Sequence, residues 1–164
     1  MNPARNKVVT LDGAAEAAET ARREGKRVVF TNGCYDLLHA GHVQCLQASR
    51  ETGNFLIVGL NTDRSVRRLK GEGRPIFPES ERAELVAAME AVDQVFLFDE
   101  DTPLAAILRI RPDRIVKGGD WKPEDVVGRK EVESWGGAVV TIPLMSGRSA
   151  TSLLEQIRRK LGRG

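Results

Sequence analysis

Only two cysteines, two histidines and a 5% share of aromatic residues occur among 164 residues. Two cysteines, Cys34 and Cys45, supply no disulfide framework, and both read as small apolar fillers rather than nucleophiles. No apolar run approaches the length of a membrane span, and residues 1–9 lack the apolar core of a signal peptide. A cytoplasmic protein with no membrane partner is expected. The formal net charge is only +2, and nothing interleaves basic with aromatic residues, so a non-specific nucleic-acid binder is excluded as well. What remains is 41% hydrophobic and 29% charged, the composition of an ordinary soluble globular chain long enough for one real core. One domain over residues 1–164 is expected, with residues 1–24 as an N-terminal helical extension.

Strand-like and helix-like patterns alternate without a linker or a repeat. Strands are predicted at residues 27–31, 54–60, 94–98, 114–117 and 138–142, from β-branched and aromatic runs bounded by polar residues. Helices are predicted at 11–23, 42–50, 79–91, 131–135 and 149–161, and another from Pro103, as first helical residue, to Ile110, where Arg111-Pro112 stops it. Strands separated by helices pair in parallel, because parallel neighbours cannot be joined by tight turns. The expected fold is therefore α/β: a three-layer, doubly wound parallel sheet of about five strands. In such sheets ligands bind outside the carboxyl ends of the strands, near the switch in strand order.

The polar, glycine-bearing segments fall at that edge. After the first strand comes Asn32-Gly33-Cys34-Tyr35-Asp36, then Leu37 to His42. His39 and His42 stand three apart where a helix begins, so they can share a face, and Gly41 between them leaves room for a ligand to approach. Two imidazoles, a helix N-terminus and Asn32-Gly33 converging on one point suit a polyphosphate. A paired His-x-x-His could also bind metal, but no histidine remains elsewhere to complete a tetrahedral set, and no metal ligand is assigned. It could equally be a helix start satisfied by its own backbone.

Three further clusters have the same two-sided reading. Arg64, Arg67, Arg68, Lys70 and Arg74 follow the second strand and fit phosphate contact or a solvated basic face. Gly118-Gly119 is a turn, followed by Asp120, whose carboxylate suits a ribose hydroxyl or a ligand amine. Ser149 to Ser152 caps a helix by its hydroxyls, and the same groups can hold the outer phosphates of a nucleotide.

Gly33-Cys34-Tyr35-Asp36-Leu37-Leu38-His39-Ala40-Gly41-His42 resembles the His-x-Gly-His signature of the nucleotidyltransferase superfamily, which includes cytidylyltransferases and phosphopantetheine adenylyltransferase. More narrowly, Asn61-Thr62-Asp63, Arg68-Leu69-Lys70-Gly71, Arg74-Pro75, Glu90-Ala91-Val92-Asp93, Glu100-Asp101-Thr102-Pro103 and Val116-Lys117-Gly118-Gly119-Asp120-Trp121 resemble the adenylyltransferases of ADP-heptose synthesis. The resemblance runs from about Val28 to Ile157 and, with no sugar-kinase domain ahead of it, points to the stand-alone form.

The resemblance implies transfer of AMP from ATP to D-glycero-β-D-manno-heptose 1-phosphate, with release of pyrophosphate. His39 and His42 would bind phosphates and stabilise the departing charge, and Lys70 would neutralise the transferring centre. Asn32, Gly33, Cys34, Tyr35 and Gly41 would line the nucleotide cleft. Asp120 would contact the nucleotide, and Gly147, Ser149 and Thr151 would close over the outer phosphates. Asp36 and Arg74 would face the acceptor sugar phosphate. Mg²⁺ would accompany ATP, held by phosphate oxygens and water, and a homodimer is the expected assembly. One departure stands out: Ala150 occupies a position that carries a hydroxyl in relatives, which implies one lost side-chain hydrogen bond. A glycerol-3-phosphate cytidylyltransferase, an FMN adenylyltransferase and a non-catalytic nucleotide-binding module are the alternatives.

Overall fold

The computed structural model describes residues 4–119, 121–143 and 150–162, with the side chains of 150–152 outside that description. Five parallel strands form one sheet: β1 (Val28–Gly33), β2 (Phe55–Asn61), β3 (Gln94–Phe98), β4 (Arg114–Gly118) and β5 (Ala138–Ile142), in spatial order β3-β2-β1-β4-β5. The helices are α1 (Leu11–Arg23), α2 (Ala40–Glu51), α3 (Asp63–Lys70), α4 (Glu79–Ala87), α5 (Leu104–Ile110), α6 (Arg129–Ser134) and α7 (Ala150–Leu161). The α/β class and the five-stranded doubly wound sheet are as the sequence predicts.

Alternate strand residues face two separate cores, as the period of two requires. Val28, Phe30, Ile57 and Ile115 pack with Ala14, Ala18, Ala106, Ile107, Ile110 and Val132 on the side of α1, α5 and α6. Val29, Leu56, Val58 and Val116 pack with Leu46, Ala83 and Val86 on the side of α2 and α4. Helix α1 thus belongs to the first core: its Ala14, Ala15, Ala18 and Ala21 are buried, and their small side chains let it lie close against α5. Thr10 caps it by accepting the Gly13 N–H at 3.1 Å. Ahead of α1, Val9 N–H donates to the Val95 carbonyl at 2.9 Å and covers part of the outer edge of β3.

The largest departure from the sequence reading is α3. Its residues read as a basic run, yet they form a helix capped by Thr62, whose hydroxyl accepts the Ser65 N–H at 3.2 Å. Only Ser65 and Val66 of the eight are buried, so the stretch has too few apolar residues to show an apolar stripe. Helix α4 stops at Ala87, four residues early. Pro103 is a cap rather than the first helical residue, and Trp135 caps α6 instead of ending inside it. Arg111 closes α5 in the left-handed region (φ 53°), because Pro112 bars it from the right-handed one.

The topology fixes where ligands go. From β1 the chain runs to β2 and β3 on one side, then returns to lay β4 and β5 on the other. The crevice between the carboxyl ends of β1 and β4 is the switch point.

Candidate active site

At that point β1 ends in Asn32-Gly33, and the chain enters a loop held by a left-handed Tyr35 (φ 46°). A Cβ at Gly33 would stand 3.1 Å from Cε2 of the Tyr35 ring, so with any larger residue there the ring would have to give by a few tenths of an ångström. Tyr35 is buried and packs at 5.2 Å from the His42 ring, and burial pushes its phenol far above the usual range.

His39 is the N-cap of α2, in extended conformation, and its Nδ1 accepts the Gly41 N–H at 3.1 Å. An accepting Nδ1 carries no proton, so the ring's N–H lies on Nε2. A Cβ on Gly41 would stand 3.0 Å from both Nδ1 and Cε1 of His39, which explains the glycine between the histidines. The His42 ring stacks on that of His39 with centroids 3.9 Å apart and planes 27° from parallel. Burial, and then the neighbouring His39, press the His42 pKa down to about 4, so the ring is neutral at pH 7. Its buried Nδ1 finds no hydrogen-bond partner among the described residues. Two imidazoles therefore stand side by side at the positive end of a helix.

The loop is anchored from behind. Asp36, only 3% exposed, accepts the N–H groups of Ile76 at 2.6 Å and Phe77 at 3.3 Å and pairs with Arg74. The two residues expected at the acceptor thus meet each other, and together they tie the segment after α3 to the histidine loop.

Arg82, which sequence reasoning passed over, is fully buried on α4. Its Nη1 donates to the Cys34 carbonyl at 2.6 Å and the Asn61 carbonyl at 2.9 Å, its Nη2 to Asp63 at 2.7 Å and its Nε to the Phe77 carbonyl at 3.0 Å. One guanidinium thereby joins the ends of β1 and β2, the start of α3 and the segment reaching Asp36. The available signal was an arginine one turn before Val86 on the apolar stripe of α4.

The basic cluster divides. Arg64 and Arg68 are spent on Asp99, and Arg68 also on Asp101. Arg67 and Lys70 have no ion pair among the described residues. Lys70 is the exposed last residue of α3, and, with Arg82 and Arg74, it lies near enough to Cys34 to oppose the rise that burial imposes on that thiol. Cys34 Sγ meets the Asn61 side-chain oxygen at 3.8 Å. The structure therefore gathers Asn32, Gly33, Cys34, Tyr35, His39, Gly41 and His42 around the end of β1, with Lys70 on its flank.

A cytidylyltransferase-like family model matches residues 30–145, from the end of β1 past β5. The chain belongs to the cytidylyltransferase-like family. It carries a nucleotidyltransferase domain of that kind, and the histidine pair lies within the matched region. The "Bifunctional protein HldE" of Geobacter metallireducens is 51% identical over 156 residues, which is 95% of this chain and 32% of that protein. The HldE proteins of Syntrophotalea carbinolica (51% over 159 residues; 97% and 32%) and Citrifermentans bemidjiense (54% over 152 residues; 93% and 31%) are equally similar. The chain spans about a third of the length of these relatives. Among solved structures, the lipopolysaccharide core biosynthesis protein from Thermoplasma volcanium GSS1 matches with a TM-score of 0.61 and 28% identity, covering 74% of this chain and 98% of that one.

For this cytidylyltransferase-like chain, Asp120, Gly147, Ser149 and the side chain of Thr151 lie outside the described residues. No described helix is long and apolar enough to cross a membrane. Among the described residues no three His, Cys, Asp or Glu side chains gather into a metal cage. The site offers N–H donors and cations, the chemistry of a phosphate rather than of a bare ion.

Proposed function

We propose that the chain transfers the AMP group of ATP to D-glycero-β-D-manno-heptose 1-phosphate, giving ADP-heptose and pyrophosphate. The observation that carries this reading is the stacked His39–His42 pair at the N-terminus of α2, with Nδ1 of His39 accepting the Gly41 N–H. The choice of sugar rests on the motif resemblance and on the HldE relatives.

In this reaction a phosphate oxygen of the acceptor attacks the α-phosphorus of ATP in line. The bond from that phosphorus to the bridging oxygen of the β-phosphate breaks, and its electron pair leaves with pyrophosphate. No protein nucleophile is needed, so catalysis reduces to holding the two phosphates together and stabilising charge. The His39 and His42 imidazoles would donate to the phosphates as that charge develops, and Lys70 would approach from α3. Gly33 and Gly41 let the Tyr35 and His39 rings fold close against the backbone, and Asp36 and Arg74 would position the far wall. Mg²⁺ bound with ATP would neutralise the triphosphate, carried by phosphate oxygens and water because the described residues present no cage for it.

The experiment is product identification by mass spectrometry with ATP or CTP, offered with heptose 1-phosphate, glycerol 3-phosphate, FMN or phosphopantetheine. ADP-heptose as the sole product supports the proposal. A product with another acceptor, or only with CTP, replaces its substrates and keeps its chemistry, and no product from any pair overturns it.

A further inference from the structure

The switch point holds a second cation that neither the histidine motif nor the basic cluster includes. Lys117 lies near the carboxyl end of β4, half-buried beside β1, and its Nζ donates to the side-chain oxygen of Asn32. We propose that Lys117 is a further anion-binding residue of the nucleotide site, held against Asn32 in the free protein and donating its remaining N–H groups to a phosphate oxygen of bound ATP. This rests on the nucleotide-transfer reading above.

Its surroundings argue for such a ligand. An ammonium has three donor hydrogens and wants an anion, yet Lys117 makes no ion pair among the described residues. Its one hydrogen-bond partner there is a neutral amide, and the other groups facing it are the half-buried Cys45 thiol of α2 and the Trp121 ring, whose centroid lies 5.9 Å from Nζ. Burial holds the amine down to about 8, far below an ordinary lysine, and the neighbouring Cys45 opposes that shift only in part. A lysine kept for structure alone would be paired or would extend its tip into water. Among the described residues Lys117 has no ion-pair partner, and it stands where the fold brings ligands, one strand from Gly33 and the loop to the histidines.

The test follows the Lys117 side chain by NMR in the whole wild-type protein, using ¹³C-labelled lysine with the signal assigned through Lys117→Arg. Adding ATP is expected to raise the pKa of that signal by about one unit or more, as an anion at contact distance does. Lys117→Met should weaken ATP binding roughly 10- to 100-fold, the worth of one charged hydrogen bond, and Lys117→Arg should recover part of it. If ATP shifts the imidazole signals of His39 and His42 but leaves Lys117 unmoved, the proposal is wrong while the nucleotide reading stands. Movement with heptose 1-phosphate alone, and not with ATP, would also overturn it. If neither ATP nor CTP moves any histidine or lysine signal, the nucleotide reading fails and takes this proposal with it. The titration needs only the wild-type fold and its conservative arginine variant, so a poorly folded Lys117→Met does not blunt it.

Discussion

The Gly41 N–H donates to Nδ1 of His39 at 3.1 Å, and this one bond decides which nitrogen of His39 faces the ligand. A methyl group at residue 41 would press on the imidazole from 3.0 Å, so the ring must give by a few tenths of an ångström. Gly41→Ala is therefore expected to lower kcat by roughly tenfold, less than the roughly 100-fold that a full ångström of displacement at a reacting centre can cost. Its Tm should hold or rise slightly, since alanine favours the helix. Steady-state kinetics beside a thermal melt separate the two, and unchanged turnover would place His39 outside the chemistry.

His42 makes stability depend on pH. Its folded pKa, about 4, lies below the unfolded 6.5, so between these values the unfolded chain binds more protons. Its contribution is complete above pH 6.5 and is lost as pH falls toward 4. Carboxylates titrate at the lower end of the same window, so the useful quantity is the difference between wild type and His42→Gln. Denaturant melts from pH 7.5 to 4 should show wild type losing more stability than the variant. Parallel curves would mean that His42 is not held neutral by the fold.

Arg82→Met should be severe. Removing the guanidinium leaves the carbonyls of Cys34, Asn61 and Phe77 and the Asp63 carboxylate without their donor. Breaking such a buried charged network costs about 3–5 kcal/mol, or roughly 10 °C in Tm for a chain of this size. Arg82→Lys should rescue little, since a single ammonium cannot span the four acceptors. Calorimetry on both variants is the check, and a melt within a degree or two of wild type would deny Arg82 its joining role.

Asp36→Asn keeps one acceptor but loses the charge that holds Arg74. The segment carrying Ile76 and Phe77 should then open more often, with faster hydrogen exchange at those two amides and little change in the sheet. Unchanged exchange there would show that Arg74 and the loop are held by other means.

For Lys70→Ala, kcat should fall far more than ATP affinity, roughly 10- to 100-fold, because its proposed task is charge that appears as pyrophosphate leaves. Equal losses confined to ATP binding would assign it to the ground state instead.

Much of this was legible in the chain. The apolar runs at residues 27–31 and 54–60 marked buried strands, observed at Val28–Gly33 and Phe55–Asn61, and strands alternating with helices named the fold and the edge where ligands are expected. The histidine pair was readable because its spacing and its glycine act locally. What escaped depends on contacts distant in sequence. Asp36 and Arg74 lie 38 residues apart, and nothing near either announces that they meet. Arg82 looks like a surface arginine until the ends of β1 and β2 supply its acceptors, and Lys117 becomes unusual only beside Asn32. Helix α3 was hidden for the opposite reason: it is so rich in charge and so poor in apolar residues that it read as a solvated basic run.

The central claim is that the stacked imidazoles at the start of α2 drive pyrophosphate departure from ATP. Pyrophosphate release with ATP, Mg²⁺ and heptose 1-phosphate, measured for wild type, His39→Ala and His42→Ala, tests it most directly. The account predicts release by wild type and a fall of roughly 100-fold or more in kcat for each variant, with the fold intact. Release undiminished in both variants, or none from the wild type with any acceptor, would contradict it.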